Sequence, residues 1–260
     1  MFATGKPGWV NLSIALVALI GAIALQQMRL NDPRSGSLDP QKAQQQEALQ
    51  LEVLARSPTF GFDNLLADWL FLKWVQYFGD EPLREQTGYD LNDDYFDLIT
   101  KLDPRFAEVY PFISTAVSFT QGKPETGIAF MERGTAALSP EMDPKAYMVW
   151  RYKGLDELLL LGDIEASIYS HEMAAQWVKA TPEEDAAELA ELYQRMAQFL
   201  RSDPDSTPVR FWAWNEVYHN AMTESVQLRA EEELLKLGAE KQITESGGVR
   251  FFLPEPSSGE

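Results

Sequence analysis

Two histidines, no cysteine and an excess of carboxylates are all the chain offers toward catalysis or metal binding. The missing thiols exclude disulfides, thiolate nucleophiles and cysteine-ligated zinc or iron–sulfur centres. His171 and His219 each fall inside a helical pattern, with no second histidine at a ligand spacing. Glu172 is adjacent to His171 and so lies off its face. Asp90, Asn92 and Asp94 match the first three positions of a calcium loop. Its sixth position needs Gly and its twelfth Glu; here they are Tyr95 and Lys101. That run reads instead as a helix start, where acids favour the dipole, as does Glu183-Glu184-Asp185. No Gly-x-Ser-x-Gly elbow, phosphate-cradling glycine loop or dinucleotide fingerprint occurs. The expectation is a protein that is not an enzyme, with no metal, no cofactor and no evident small-molecule substrate.

What positions the remaining residues is helix. The 260-residue chain has a formal net charge of -18, which repels nucleic acid. Its 12% aromatic content is too high for a disordered acidic chain. Pro7 to Met28 carries no charged side chain, and about 20 helical residues cross a bilayer core. Trp9 at one edge and Arg29 beyond the other resemble interfacial anchors. A cleavable export signal is the competing reading, with Ala22-Ile23-Ala24 as its cleavage site. The expected organisation is a tail at 1–8, a transmembrane helix at 9–28 and a linker with a stalk helix at 29–56. A helical domain follows at 57–238, and a hairpin or tail at 239–260.

Within that domain, turn signals bracket helices about four turns long. Helical patterns cover Gly61–Gly79, Asp94–Leu102, Phe106–Thr120, Glu125–Leu138, Lys145–Leu161, Ile164–Ala180 and Glu183–Arg201. Val209 to Leu237 holds one long helix or two shorter ones. The segment Gly61–Gly79 is apolar nearly all round; burial under neighbouring helices is the default expectation for it, and contact with a partner or a membrane the alternative. Phe211-Trp212-Ala213-Trp214 with Tyr218 forms either the core of the last helix pair or an exposed patch.

Pro104 and Pro140 are 36 residues apart, and Pro144 and Pro182 are 38. Trp150 and Gly154 stand four apart, Leu161-Gly162-Asp163 makes a turn, and Ala166 follows on the next helix. One unit earlier, Tyr110, Ser114, Gly122, Gly127, Gly134 and Pro140 occupy the equivalent places. This pattern resembles the tetratricopeptide repeat, whose unit is 34 residues with small side chains where its helices cross. The resemblance covers roughly residues 62 to 182. Gly61-Phe62-Asp63-Asn64-Leu65-Leu66-Ala67-Asp68-Trp69-Leu70 and Gln76-Tyr77-Phe78-Gly79-Asp80 further resemble a membrane-anchored tetratricopeptide-like group of cyanobacteria.

The resemblance implies an all-α fold: a transmembrane helix followed by a tetratricopeptide-like array. It implies a scaffold that binds protein subunits of a membrane complex and assists its assembly or stability, in a thylakoid or comparable membrane. A stoichiometric accessory subunit is the alternative, and an enzyme the least favoured reading. The acidic domain is expected on the exoplasmic side, periplasm or thylakoid lumen, with the cytoplasmic face as the alternative. In such arrays the first helix of each pair lines the binding surface. The expected partner-binding residues are therefore Trp69, Lys73, Tyr110, Trp150, Arg151 and Lys153.

Overall fold

The structure, a computed structural model, describes residues 39–254 apart from 183, 203, 245 and 246, together with residues 16, 17, 19–21 and 27. The chain divides into two units, Met1–Gln46 and Glu47–Glu260. In the first, Leu16, Val17, Leu19 and Ile20 are helical and exposed. The expected membrane span at 9–28 lies mostly outside the described residues, as do the tail at 1–8 and the first part of the linker. Among the described residues no helix is long and apolar enough to cross a membrane.

The second unit is mostly helical. Helix α1 (Pro40–Arg56) runs into it, followed by α2 (Asp63–Gly79) and a short α3 (Glu81–Thr87). Next come α4 (Asn92–Leu102) and α5 (Tyr110–Ile113), which continues as a π-helix over Ser114–Thr120. Then follow α6 (Pro124–Ala137) and α7 (Tyr147–Asp156), which likewise continues as a π-helix over Glu157–Leu161. The remaining helices are α8 (Ile164–Lys179), α9 (Ala186–Arg201), α10 (Thr207–Asn220) and α11 (Glu224–Lys236). A hairpin of β1 (Glu240–Ile243) and β2 (Val249–Phe252) closes the described chain, with Lys241 opposite Phe251.

Spacing explains which faces are buried. In α2, Ala67, Leu70, Trp74 and Tyr77 recur every three or four residues and form one buried stripe. It packs on α4, with the Trp74 and Phe96 rings 4.8 Å apart and Tyr77 5.5 Å from Tyr95. The indole N–H of Trp74 donates to Asn92 Oδ1 at 3.0 Å, so the buried amide is satisfied. Arg133 of α6 reaches back to α4, donating to Asp97 Oδ1 at 2.8 Å and to Thr100 Oγ1 at 2.8 Å. Helix α8 packs between α7 and α9. From α5 to α9 successive helices pack on one another, whereas α2 packs on α4 across the short α3.

Two glycines set how closely these helices approach. A methyl group at Gly134 of α6 would overlap the ring of Tyr110, a fully buried residue of α5. A methyl group at Gly154 of α7 would come within 2.7 Å of His171 Nδ1 on α8. A second core forms where α10, α11 and the hairpin meet the π-helical end of α7. It holds Leu160, Phe211, Trp214, Tyr218, Leu234 and Phe251. The Trp214 indole donates to the Leu160 carbonyl at 3.0 Å, and Phe251 packs edge-on against Tyr218 at 4.9 Å.

Of the two readings for Val209 to Leu237, the structure has two helices, broken at Ala221–Thr223, where Thr223 caps α11 by accepting from the Val226 N–H. The stretch from Phe106 to Thr120 is a 3-10 turn, a short α-helix and a π-helix in succession. Of the aromatic run, Phe211 and Trp214 are core but Trp212 is exposed. Helix α2 is not buried all round.

Replacing Gly134 by Ala is expected to destabilise the protein by about 1–3 kcal/mol in urea melts, because overpacking outweighs the gain in helix propensity. Gly79→Ala, at a site with open space around the added carbon, is expected to be neutral or stabilising by up to about 1 kcal/mol. Equal effects at the two sites would refute the close-packing account.

Candidate functional site

The outer side of α2 carries a row of exposed large apolar side chains. Phe62 (64% exposed), Leu65 (65%), Trp69 (44%) and Leu72 (61%) recur at spacings of three and four and share a side with Val75. Phe62 immediately precedes the helix; the others are within it. This side is opposite the Ala67-Leu70-Trp74-Tyr77 stripe, so α2 carries two apolar faces and buries one. Asp68 is exposed within the outer face, and Gln76 extends it. Phe60 precedes it in a left-handed conformation (φ 54°), 84% exposed. A bulky side chain in that region is strained, and here it is also uncovered. Gly61, also left-handed, completes the turn that delivers the chain into α2.

The six residues expected to bind a partner do not share one surface. Trp69 and Lys73 lie together, lining a small cavity against Leu51 and Leu54 of α1. Lys73 is 3.8 Å from Glu47. Tyr110 is wholly buried, and its hydroxyl donates to the Pro104 carbonyl at 2.7 Å. Trp150 is buried edge-on against Trp177 and Tyr169 of α8. Lys153 is buried and ion-paired with Glu157, while Arg151 lies 5.2 Å from the Tyr152 ring. Burial follows from helix packing: Tyr110, Trp150 and Lys153 face the neighbouring helices, and only Trp69 presents a large apolar area to solvent. Lys73 and Lys153 thus each have a carboxylate of the same chain beside them.

A second feature was not legible in the sequence. The two π-helical segments are joined by one buried carboxylate. Asp156, fully buried at the end of α7, accepts from Ser114 Oγ at 2.6 Å and from Ser118 Oγ at 2.5 Å. Among the described residues no cation pairs with it. Burial pushes its pKa up to about 7, against the lowering effect of the two serine hydroxyls; the neighbouring Glu157 adds to the rise. Glu157 itself pairs with Lys153 and accepts from Ser170 Oγ at 2.7 Å. Nearby, His171 is buried, and burial lowers its pKa, which favours the neutral ring. Its Nδ1 lies 2.8 Å from the Ser167 carbonyl. His219 is exposed at the end of α10. Among the described residues no cluster of three or more His, Asp or Glu could hold a metal ion.

Ser114 also lines a cleft of about 460 Å³. Phe119, Tyr152, Leu155, Leu159 and Val217 supply its apolar walls. π-Helical turns concentrate at functional sites, and both π-helical segments contribute to this cleft. No family profile, curated protein or solved structure matches the chain.

Asp156 sets a pH dependence. The unfolded chain releases this proton near 3.8, whereas the folded chain holds it up to about 7. Between those values the folded state binds the extra proton, so this group's contribution to stability falls as pH rises and levels off above about 7. Asp156→Asn is expected to remove that slope. In denaturant melts the variant should gain on the parent by on the order of 4 kcal/mol between pH 4 and pH 8. Parallel pH profiles for parent and variant would contradict this.

Proposed function

We propose that the protein is a membrane-anchored helical scaffold whose α2 outer face receives an apolar helix of a membrane-protein partner, assisting assembly or stability of a membrane complex. The observation that carries this reading is the uncovered stripe of Phe62, Leu65, Trp69 and Leu72. Contiguous exposed apolar surface of this kind marks interaction sites. The stripe has helical spacing, which suits a helix laid along it. Asp68 stands among these residues, and sinking a carboxylate into hydrocarbon costs a few kcal/mol. A protein helix with a donor or cation opposite Asp68 is the better complement, and the net charge of -18 disfavours an anionic lipid surface.

The uncharged run from Pro7 to Met28 supports the anchor, and tethering raises the effective concentration at a membrane partner. A tetratricopeptide-like arrangement is supported by the close approach at Gly134 and Gly154 and by α7, α8 and α9 packing in succession. We place the acidic domain on the exoplasmic side, periplasm or thylakoid lumen. The cysteine-free chain suits an oxidising space.

Leu65→Lys combined with Leu72→Lys tests the reading. Both positions are exposed, so each change should alter stability by less than about 0.5 kcal/mol. Affinity isolation of full-length protein from detergent-solubilised membranes should recover a membrane-spanning subunit with the parent and lose it with the double variant. The control Leu192→Lys, on the exposed side of α9, should retain it. Equal recovery by the parent and the double variant would refute the assignment of α2.

A further inference from the structure

We infer that the cleft between the two π-helical segments and α10 is a binding site for a small organic cation, an ammonium or guanidinium carried on an apolar body. The argument is an inventory of its hydrogen-bonding groups. Ser114 Oγ donates to Asp156 Oδ1 at 2.6 Å, so its proton is engaged beneath the cleft. Thr120 Oγ1 donates to the Thr115 carbonyl at 2.9 Å. The Asn220 amide nitrogen donates to the Glu216 carbonyl at 3.0 Å and to Glu216 Oε1 at 2.9 Å. Those protons are therefore committed, and the same side chains are left with lone pairs. The hydroxyls of Thr115 and Tyr152 can accept as well as donate. The second oxygen of Glu216 remains an acceptor bearing charge.

The cleft is thus acceptor-rich and carries a carboxylate. Among the described residues no Lys, Arg or His lines it. An anion would meet the Glu216 carboxylate and only the Thr115 and Tyr152 hydroxyls as side-chain donors, whereas an ammonium or guanidinium brings protons for the remaining lone pairs and the opposite charge. Phe119, Leu155, Leu159 and Val217 provide the apolar wall for the body of such a molecule. The volume of about 460 Å³ suits a small ligand. This inference is independent of the α2 face, which lies on a different helix.

Titration calorimetry of the full-length protein in non-ionic detergent at pH 8 tests it, with phenethylammonium, 2-phenylethanol and 3-phenylpropionate as probes. At that pH the Asp156 carboxylate is mostly ionised and both serine protons are held. Phenethylammonium should bind with one-to-one saturation, and 3-phenylpropionate at least about tenfold more weakly. Glu216→Gln, at an exposed position, should weaken phenethylammonium by about tenfold. Thr115→Lys, also exposed, places an ammonium in the cleft and should abolish binding. Absence of saturable binding by the cation overturns the inference. So does equal or tighter binding of the carboxylate, or binding that neither variant alters.

Discussion

A helix that is apolar on two opposite sides needs two neighbours; this chain covers one side of α2 and meets the other only at Trp69, beside Leu51 and Leu54 of α1. Its inner side is fixed by Trp74, whose ring packs on Phe96 and whose N–H is satisfied by Asn92. Tyr77 adds a second anchor, with its hydroxyl accepting from the Leu91 N–H at 3.2 Å and Arg84 stacked over its ring at 3.8 Å. These contacts define which residues face outward. Leu65, Trp69 and Leu72 cannot turn in without moving Trp74 and Tyr77 out. Uncovered apolar area of this kind is worth roughly 25 cal/mol per Å² when a partner removes it from water. The same asymmetry underlies the proposed function: what makes α2 a good core element on one side leaves apolar side chains exposed on the other.

The buried polar groups follow a different logic. Asp156, Glu157 and Lys153 sit where α7 turns into a π-helix, and each finds a partner: two serines, a lysine and a third serine. Removing one member leaves another buried and unsatisfied, which costs more than the bond contributed. The network therefore specifies how the π-helical segment of Ser114–Thr120 seats against α7. Gly154 adds to the same constraint from the other side, since only a residue without a side chain leaves room for His171. The cleft walls at Leu155 and Leu159 are placed by this seating rather than by any contact of their own.

Much of the helical layout is written in punctuation. Gly79, Gly162 and Gly238 stand at or just beyond helix ends, and Pro124 opens α6. Gly162 is left-handed, as a helix stop requires. The π-helical turns are not written in this way: Ser114–Thr120 reads as ordinary helix, because an extra residue in one turn changes register without changing composition. The site was legible only in part. The apolar character of α2 is plain in its residues, but which side is covered depends on Trp74 meeting Asn92 and Phe96, a pairing between helices. Lys153 reads as a free cation until Glu157, four residues on, is seen to be buried beside it. Nothing local to Asp156 signals that two serines some forty residues earlier will enclose it.

Site-specific photo-crosslinking from α2 in intact membranes tests the central claim most directly. A photoreactive side chain at position 72 on the outer face is compared with one replacing the Tyr77 ring on the inner face. The account predicts an adduct from position 72 to a helix of a membrane-protein subunit, and from position 77 only adducts within the chain. Adducts from position 72 to lipid alone, or to no other molecule, would contradict a protein partner on α2.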